Sequence, residues 1–318
     1  PVKDQLDPEE RQDQRQPGRQ VHQPVEQALD QEEQRPQAEQ REGVGGEDDV
    51  GLLRHAEDGG DGVEREEQVD PADGDQDDEQ RRDDPAPVDP RQAGLFHTAF
   101  LFDDGPSLAA TVYRAAQDRR GTFVGSSDHL VSEAFYFTDP EGNGVELYTD
   151  RPRETWVREH GQILMTTTFL DPNAYLRTHL DQETFDAGPS LAGRVGHVHL
   201  QVGDVATAHA FYVDAVGFEA TLTGYSGALF ASAGGYHHHV AMNVWNSAGA
   251  GPRAASLGLG DVAVTVPGRE DLDALVARLR ARGLERADDG RSVVVHDPWG
   301  TRVTLSVPGT TTEELLAR

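Results

Sequence analysis

The chain contains no cysteine. That excludes disulfides, thiolate metal sites and cysteine nucleophiles, so any metal has to be held by His, Asp and Glu. No run of eighteen apolar residues occurs in its 318 residues, so no transmembrane helix is expected. The N-terminus is acidic and rich in Gln and lacks the pattern of a secretory leader. A cytoplasmic protein is the expectation. Cations are scarce: 28 Lys and Arg stand against 57 Asp and Glu, a net charge of −29. That balance argues against a nucleic acid or an anionic membrane as partner.

The first 90 residues lack Phe, Trp, Tyr and Ile altogether and carry 29 acidic against 10 basic side chains. Such a segment cannot bury enough apolar surface to offset its chain entropy, so residues 1–92 are expected to be disordered. Their Asp/Gln/Arg/Gly/Pro/Val bias reads in two ways. One is an acidic low-complexity tail. The other is a GC-rich gene translated in a wrong frame or from a misplaced start.

After Gln92 the composition changes abruptly. Leu95 to Phe102 is apolar enough for a buried strand. Ser107 to Arg120 reads as an amphipathic helix, with Ser107 as N-cap and Gly121 as stop. Val131 to Thr138 and Gly144 to Tyr148 read as strands around the turn signal Asp139-Pro140-Glu141-Gly142-Asn143. A short strand near Phe123 completes a β-α-β-β-β unit. The plan returns at Gly196 to Trp245 and again at Gly260 to Val307. Asp139-Pro140-Glu141-Gly142-Asn143-Gly144-Val145-Glu146-Leu147 aligns without gaps to Asp297-Pro298-Trp299-Gly300-Thr301-Arg302-Val303-Thr304-Leu305. Asp-Pro-x-Gly by itself is a turn and not a catalytic signal. The fold class expected is therefore α+β, built of repeated βαβββ modules. One spans 93–160 and two more, paired with each other, span 190–318.

Three such modules resemble the vicinal oxygen chelate superfamily of glyoxalases, bleomycin-resistance proteins and extradiol dioxygenases. There, two modules pair side by side and their curved sheets make a cup around a metal. Within the superfamily, His129-x5-Phe135-Tyr136-x2-Asp139-Pro140-x-Gly142-x3-Glu146 resembles the signature of catechol 2,3-dioxygenase-like, extradiol ring-cleaving enzymes; Ser127 departs from it. The resemblance implies that His97 and Glu146 are metal ligands, that His129 is an acid/base residue and that Tyr136 hydrogen-bonds the substrate. It implies Fe(II), with Mn or Zn as alternatives, and a small aromatic diol and O2 as substrates in the breakdown of aromatic compounds.

A third ligand is not found in the sequence. The first module should lie in residues 1–92, where His22 and His55 stand without any strand pattern. His197 is the weaker candidate, since it opens the third module. The fourth module offers Asp261 and Thr304 at the ligand positions, and Thr is a poor iron or zinc ligand. The C-terminal pair is therefore expected to be structural and metal-free, leaving two of three ligands, half a cup and activity in question. Tyr236-His237-His238-His239 reads as a hydrogen-bonded strand entry before Asn243 and Trp245 rather than as a metal patch. Two other functions stay open: a glyoxalase-type metal-dependent isomerase or lyase, and a metal-free small-molecule binder of the bleomycin-resistance type. Association into a homo-oligomer also stays open.

Limited proteolysis of the full chain is expected to leave a stable core beginning near Arg91. Protection of the preceding segment would contradict the composition argument.

Overall fold

The computed structural model describes residues 89–188, 193–254 and 256–310. The expectations for residues 1–88, including His22 and His55, lie outside the described residues. The first module consists of β1 (Gly94–Phe102), α1 (Gly105–Gln117), β2 (Thr122–Asp128), β3 (Ser132–Thr138) and β4 (Gly144–Asp150). The α1 start differs from expectation. Asp104 caps it, accepting from the Ser107 amide at 2.7 Å, and Pro106 fits the first turn because its missing N–H would have no partner there. Short strands β5 (Arg158–Glu159), β6 (Gln162–Ile163) and β7 (Thr168–Phe169) follow, then α2 (Pro172–His179) and α3 (Gln182–Asp186).

The second module is β8 (Arg194–Gln201), α4 (Val205–His209), which continues as a π-helical stretch over Ala210–Val216, then β9 (Glu219–Leu222), β10 (Ala228–Ser232) and β11 (Val240–Asn243). The third is β12 (Val262–Thr265), α5 (Arg269–Ala281), β13 (Ala287–Asp288), β14 (Ser292–His296) and β15 (Arg302–Ser306). Each module orders its strands alike. The first strand runs parallel to the fourth, which pairs in turn with the third and the third with the second. The α+β reading and the repeat are both seen directly. The repeated Asp-Pro turns are built alike too. Asp139 Oδ1 accepts the amides of Glu141 and Asn143, and Asp297 Oδ1 accepts those of Trp299 and Thr301. Both aspartates shape hairpins.

The pairing of modules differs from expectation. The strands of 194–243 do not join those of 262–306, which form a separate four-stranded sheet. Instead β8 runs antiparallel to β1, and the two modules share one nine-stranded sheet in the order β7-β2-β3-β4-β1-β8-β11-β10-β9. The two C-terminal modules do share a core, but it is made by their helices. Phe211, Tyr212 and Val216 pack with Leu272, Leu275, Val276 and Leu279 of α5, over Val293, Val303 and Leu305. Each such buried side chain contributes roughly 1.5–3 kcal/mol of burial. The physical reason for this division is that β8 has two edges. The polar, histidine-bearing face of β8 meets Glu146 of β4 through His197, whereas in the third module Asp261 is already bonded to Thr304.

Close approach across the shared sheet depends on one glycine. A Cβ on Gly196 would lie 2.0 Å from the Tyr148 hydroxyl and 2.9 Å from Leu101 Cβ. Tyr148 is fully buried and cannot swing out into solvent. Gly196→Ala is expected to destabilise the fold by about 1–3 kcal/mol, as overpacked cores do. The midpoint of urea unfolding measures it, and Tyr148→Phe in the same chain should recover part of the loss by removing the nearest atom.

Candidate metal centre and its cavity

The register of the shared sheet brings three side chains together. On β1, Ala99 faces Glu146 of β4 on one side and His197 of β8 on the other. His97 lies two residues earlier on the same strand, hence on the same face. Ala99 is fully buried, and its small methyl leaves the space above it to the three larger side chains. His97 Nε2 stands 2.9 Å and His197 Nε2 3.2 Å from the same carboxylate oxygen, Glu146 Oε2. One ligand atom from each lies within 4.8 Å of the others, and all three residues are buried.

This donor set fits a divalent ion. Ligand atoms about 2.1 Å from one ion at right angles stand about 3 Å apart, close to both separations. His97 Nε2 is buried and, despite its nearness to Glu146, makes no hydrogen bond of acceptable geometry. A buried imidazole nitrogen without a hydrogen bond is a natural site for an ion to occupy. Electrostatics point the same way. Burial alone raises the Glu146 carboxyl, but the His197 and His97 imidazoles turned on it outweigh that and hold it well below the usual range. Burial likewise lowers His197 to about 4, against the pull of Glu146. A carboxylate and a neutral imidazole are the protonation states a metal requires. Two histidines and one carboxylate on one face suit a non-haem divalent metal with positions left open.

The expectation that the third ligand is missing is therefore corrected. His197, the weaker candidate, stands beside Glu146, because β8 pairs with β1 and not with the last module. The corresponding positions of the third module hold no such group. Thr304 donates to Asp261 at 2.7 Å, and among the described residues only the His97, Glu146, His197 cluster meets the requirements for an ion.

His97 and Glu146 line a cavity of about 500 Å³, counting its open mouth; His197 is not part of the lining but touches Glu146 and His238, which are. His129 and Tyr136 line it, bonded to each other at 2.7 Å. His129 Nδ1 lies 2.7 Å from the Thr166 carbonyl oxygen, which can only accept. Nδ1 therefore carries the hydrogen, and in the neutral ring Nε2 accepts from the Tyr136 hydroxyl. Tyr136 stays a phenol, because burial, with Glu146 nearby, pushes its pKa far up.

Two histidines not assigned from sequence share the wall, His199 and His238. The Asn243 amide donates to His199 Nε2 at 3.0 Å, an orientation set because Asn243 Oδ1 accepts the Trp245 amide. His238 stacks on His197 with ring centroids 4.1 Å apart. Burial and the neighbouring imidazoles hold both well below the usual histidine range. Tyr225, Phe230, Met165 and Val131 supply the apolar surface. The signal for His199 was its two-residue spacing from His197. His238 gave no signal beyond the histidine run.

The chain belongs to the glyoxalase/bleomycin resistance protein/dioxygenase superfamily, whose model matches residues 194–305. Among curated proteins, the catechol-2,3-dioxygenase of Bacillus subtilis (strain 168) is 39% identical over 209 residues, spanning 64% of this chain and 72% of that protein. Among solved structures, a putative dioxygenase from Bacillus subtilis subsp. subtilis str. 168 aligns with a TM-score of 0.44 at 14% identity, over 70% of this chain and 67% of that one. A lactoylglutathione lyase from Agrobacterium tumefaciens aligns with a TM-score of 0.29 at 22% identity, over 38% of this chain and 96% of that one. No described helix is long and apolar enough to cross a membrane.

Removal of any one ligand should empty the centre. His97→Ala, Glu146→Ala and His197→Ala are each expected to cut retained metal from about one ion per chain to almost none after dialysis, as facial-triad ligation requires. Thr304→Val is expected to retain it. Elemental analysis decides, and full retention in the His197 variant would remove that residue from the site.

Proposed function

We propose that this chain is an extradiol ring-cleaving dioxygenase that opens a catechol-like aromatic beside its two hydroxyls, incorporating both atoms of O2. One observation carries the reading: two members of a buried two-histidine, one-carboxylate cluster, His97 and Glu146, line an aromatic-walled cavity together with His129, Tyr136 and His238. His97, Glu146 and His197 would hold divalent iron. Bound there, iron would supply open positions for the vicinal oxygens of the diol and for O2, and the redox chemistry that joins them.

The chain's own residues then handle orientation and protons. Tyr225 and Phe230 give the ring two apolar faces to lie against. The hydroxyls of a bound diol must lose protons. Tyr136 already donates its hydrogen to His129, so its oxygen lone pairs are free to accept from a substrate hydroxyl. A proton taken there passes along the existing hydrogen bond to His129 Nε2, in the manner of general base catalysis. His129 cannot turn away while Nδ1 is held by the Thr166 carbonyl. On the other flank, His238 stands over the His197 ring, while Tyr136 stands near His97 with centroids 5.8 Å apart. Each hydroxyl of a diol seated on the triad would thus meet one acceptor. The buried His199 completes the wall.

A glyoxalase-type isomerase or lyase usually draws on two carboxylates, and among the described residues this cluster has one. A metal-free binder would have no use for three buried ligands turned on one point.

The test is turnover of catechol by anaerobically purified, Fe(II)-loaded protein, followed by the yellow ring-opened product and by uptake of both atoms from labelled O2. His129→Gln is expected to lower kcat by about 10²-fold, the scale of a general base, with metal content unchanged. Full metal occupancy with no ring cleavage of any diol would sink the reading.

A further inference from the structure

The inner face of β4 carries three polar side chains at two-residue spacing: Glu146, Tyr148 and Asp150. The first reaches His197, and the other two reach the segment before β11. Tyr148 meets the Tyr236 hydroxyl at 2.9 Å. Asp150 Oδ1 lies 2.9 Å from Nε2 of His237. His237 is fully buried, whereas Asp150 retains some access to water. The chain of contacts goes on: His237 Nδ1 lies 2.8 Å from His238 Nδ1.

The hydrogens on this chain follow from one end. A carboxylate only accepts, so His237 Nε2 carries a hydrogen. In the neutral ring, Nδ1 is then a lone pair and must accept. The hydrogen between the rings therefore belongs to His238 Nδ1. That leaves His238 Nε2 as a lone pair; the ring lines the cavity, and among the described residues its hydrogen bond is the one through Nδ1. The backbone beneath is pinned against rotation of the array. Ser232 donates to the Tyr236 carbonyl at 2.7 Å and Thr221 to the His237 carbonyl at 2.5 Å, while the His239 amide donates to Ala231 O at 2.9 Å.

We propose that Asp150 and His237 are positioning residues that set the tautomer of His238, so that its Nε2 faces the cavity as a hydrogen-bond acceptor and not as a donor. Resting on the dioxygenase reading, this makes His238 the group that takes the hydrogen bond of the diol hydroxyl on the His197 flank. Asp150 lies in one module and the two histidines in the other, so the acceptor exists only when the two modules share their sheet. A donor at Nε2 would oppose a substrate hydroxyl with a second hydrogen.

Two variants and two readouts test the inference. Asp150→Asn presents an amide that can donate to His237 and so reverse the whole array. His237→Phe removes the link while keeping a ring among Tyr148, Trp156 and Tyr236. The first readout is the histidine tautomer, from nitrogen-15 NMR of the full chain loaded with Zn(II), with His238 assigned by loss of its signals in His238→Gln. The native protein is expected to show His238 protonated at Nδ1. Asp150→Asn is expected to move that hydrogen to Nε2, and His237→Phe to leave a mixture. The second readout is kinetic, on Fe(II)-loaded protein. Both variants should lose at least about tenfold in kcat, toward the roughly 10⁴-fold that follows loss of an orienting carboxylate elsewhere, with metal content and KM little changed. A native His238 protonated at Nε2 overturns the proposal. So does a native-like tautomer in both variants, or a changed tautomer with unchanged kcat. The expected tautomers in a protein that cleaves no diol would sink the dioxygenase reading and leave the relay standing.

Discussion

The antiparallel pairing of β1 with β8 is the contact on which the rest of the molecule depends. Each of these strands already has a parallel partner from its own module, β4 and β11. Joining them buries two first strands at the centre of one sheet and sets Ala99 between Glu146 and His197. The period of a strand is two, so a slip of one residue would turn His197 to the other face and dissolve the cluster. The candidate metal donors and the cavity walls both follow from this one register.

The cost of such a site is electrostatic. Burying a carboxylate and several imidazoles with too few partners opposes folding, because desolvated charge is offset only by charge or well-placed hydrogen bonds. The arrangement meets that cost in two ways. Around the triad, two imidazoles turn on one carboxylate oxygen. Further out, several polar side chains have fixed partners: His129 with Thr166 and Tyr136, His199 with Asn243, His237 with Asp150, Tyr148 with Tyr236. These bonds hold side chains in single rotamers, and a reactive centre needs that rigidity. The apolar work is done elsewhere, mainly in the helix-to-helix core of the two C-terminal modules. The third module thus lends bulk and stability without donating to the centre. Its Asp261 and Thr304, at positions analogous to ligands, are hydrogen-bonded to one another.

The modules themselves were legible in the residues. Hydrophobic alternation, turn chemistry and the nine-residue repeat are local properties, and local properties survive any arrangement of modules. His97, Glu146, His129 and Tyr136 were legible for the same reason, since a single module carries them in a motif. Some details were not. Asp104 caps α1 ahead of Ser107 because it lies one residue before the helical backbone begins. The strand of Thr122–Asp128 is longer than its composition suggested, since pairing with β3 on one side and β7 on the other overrides its weak propensity.

By itself, the sequence determined the α+β class, the repeat, the restriction of metal donors to imidazole and carboxylate, and half of the centre. Tertiary structure alone decided which module partners which. That choice rests on the surface each strand edge and face presents after its own module has formed, a property of assembled sheets and not of any stretch of chain. Through that choice His197 came to stand beside Glu146 as the third candidate donor, 51 residues along the chain from it. His238 became a cavity wall in the same way, and His237 met Asp150 across 87 residues. Contacts at such separations have no periodicity to betray them, so they become visible only when the two sheets are one.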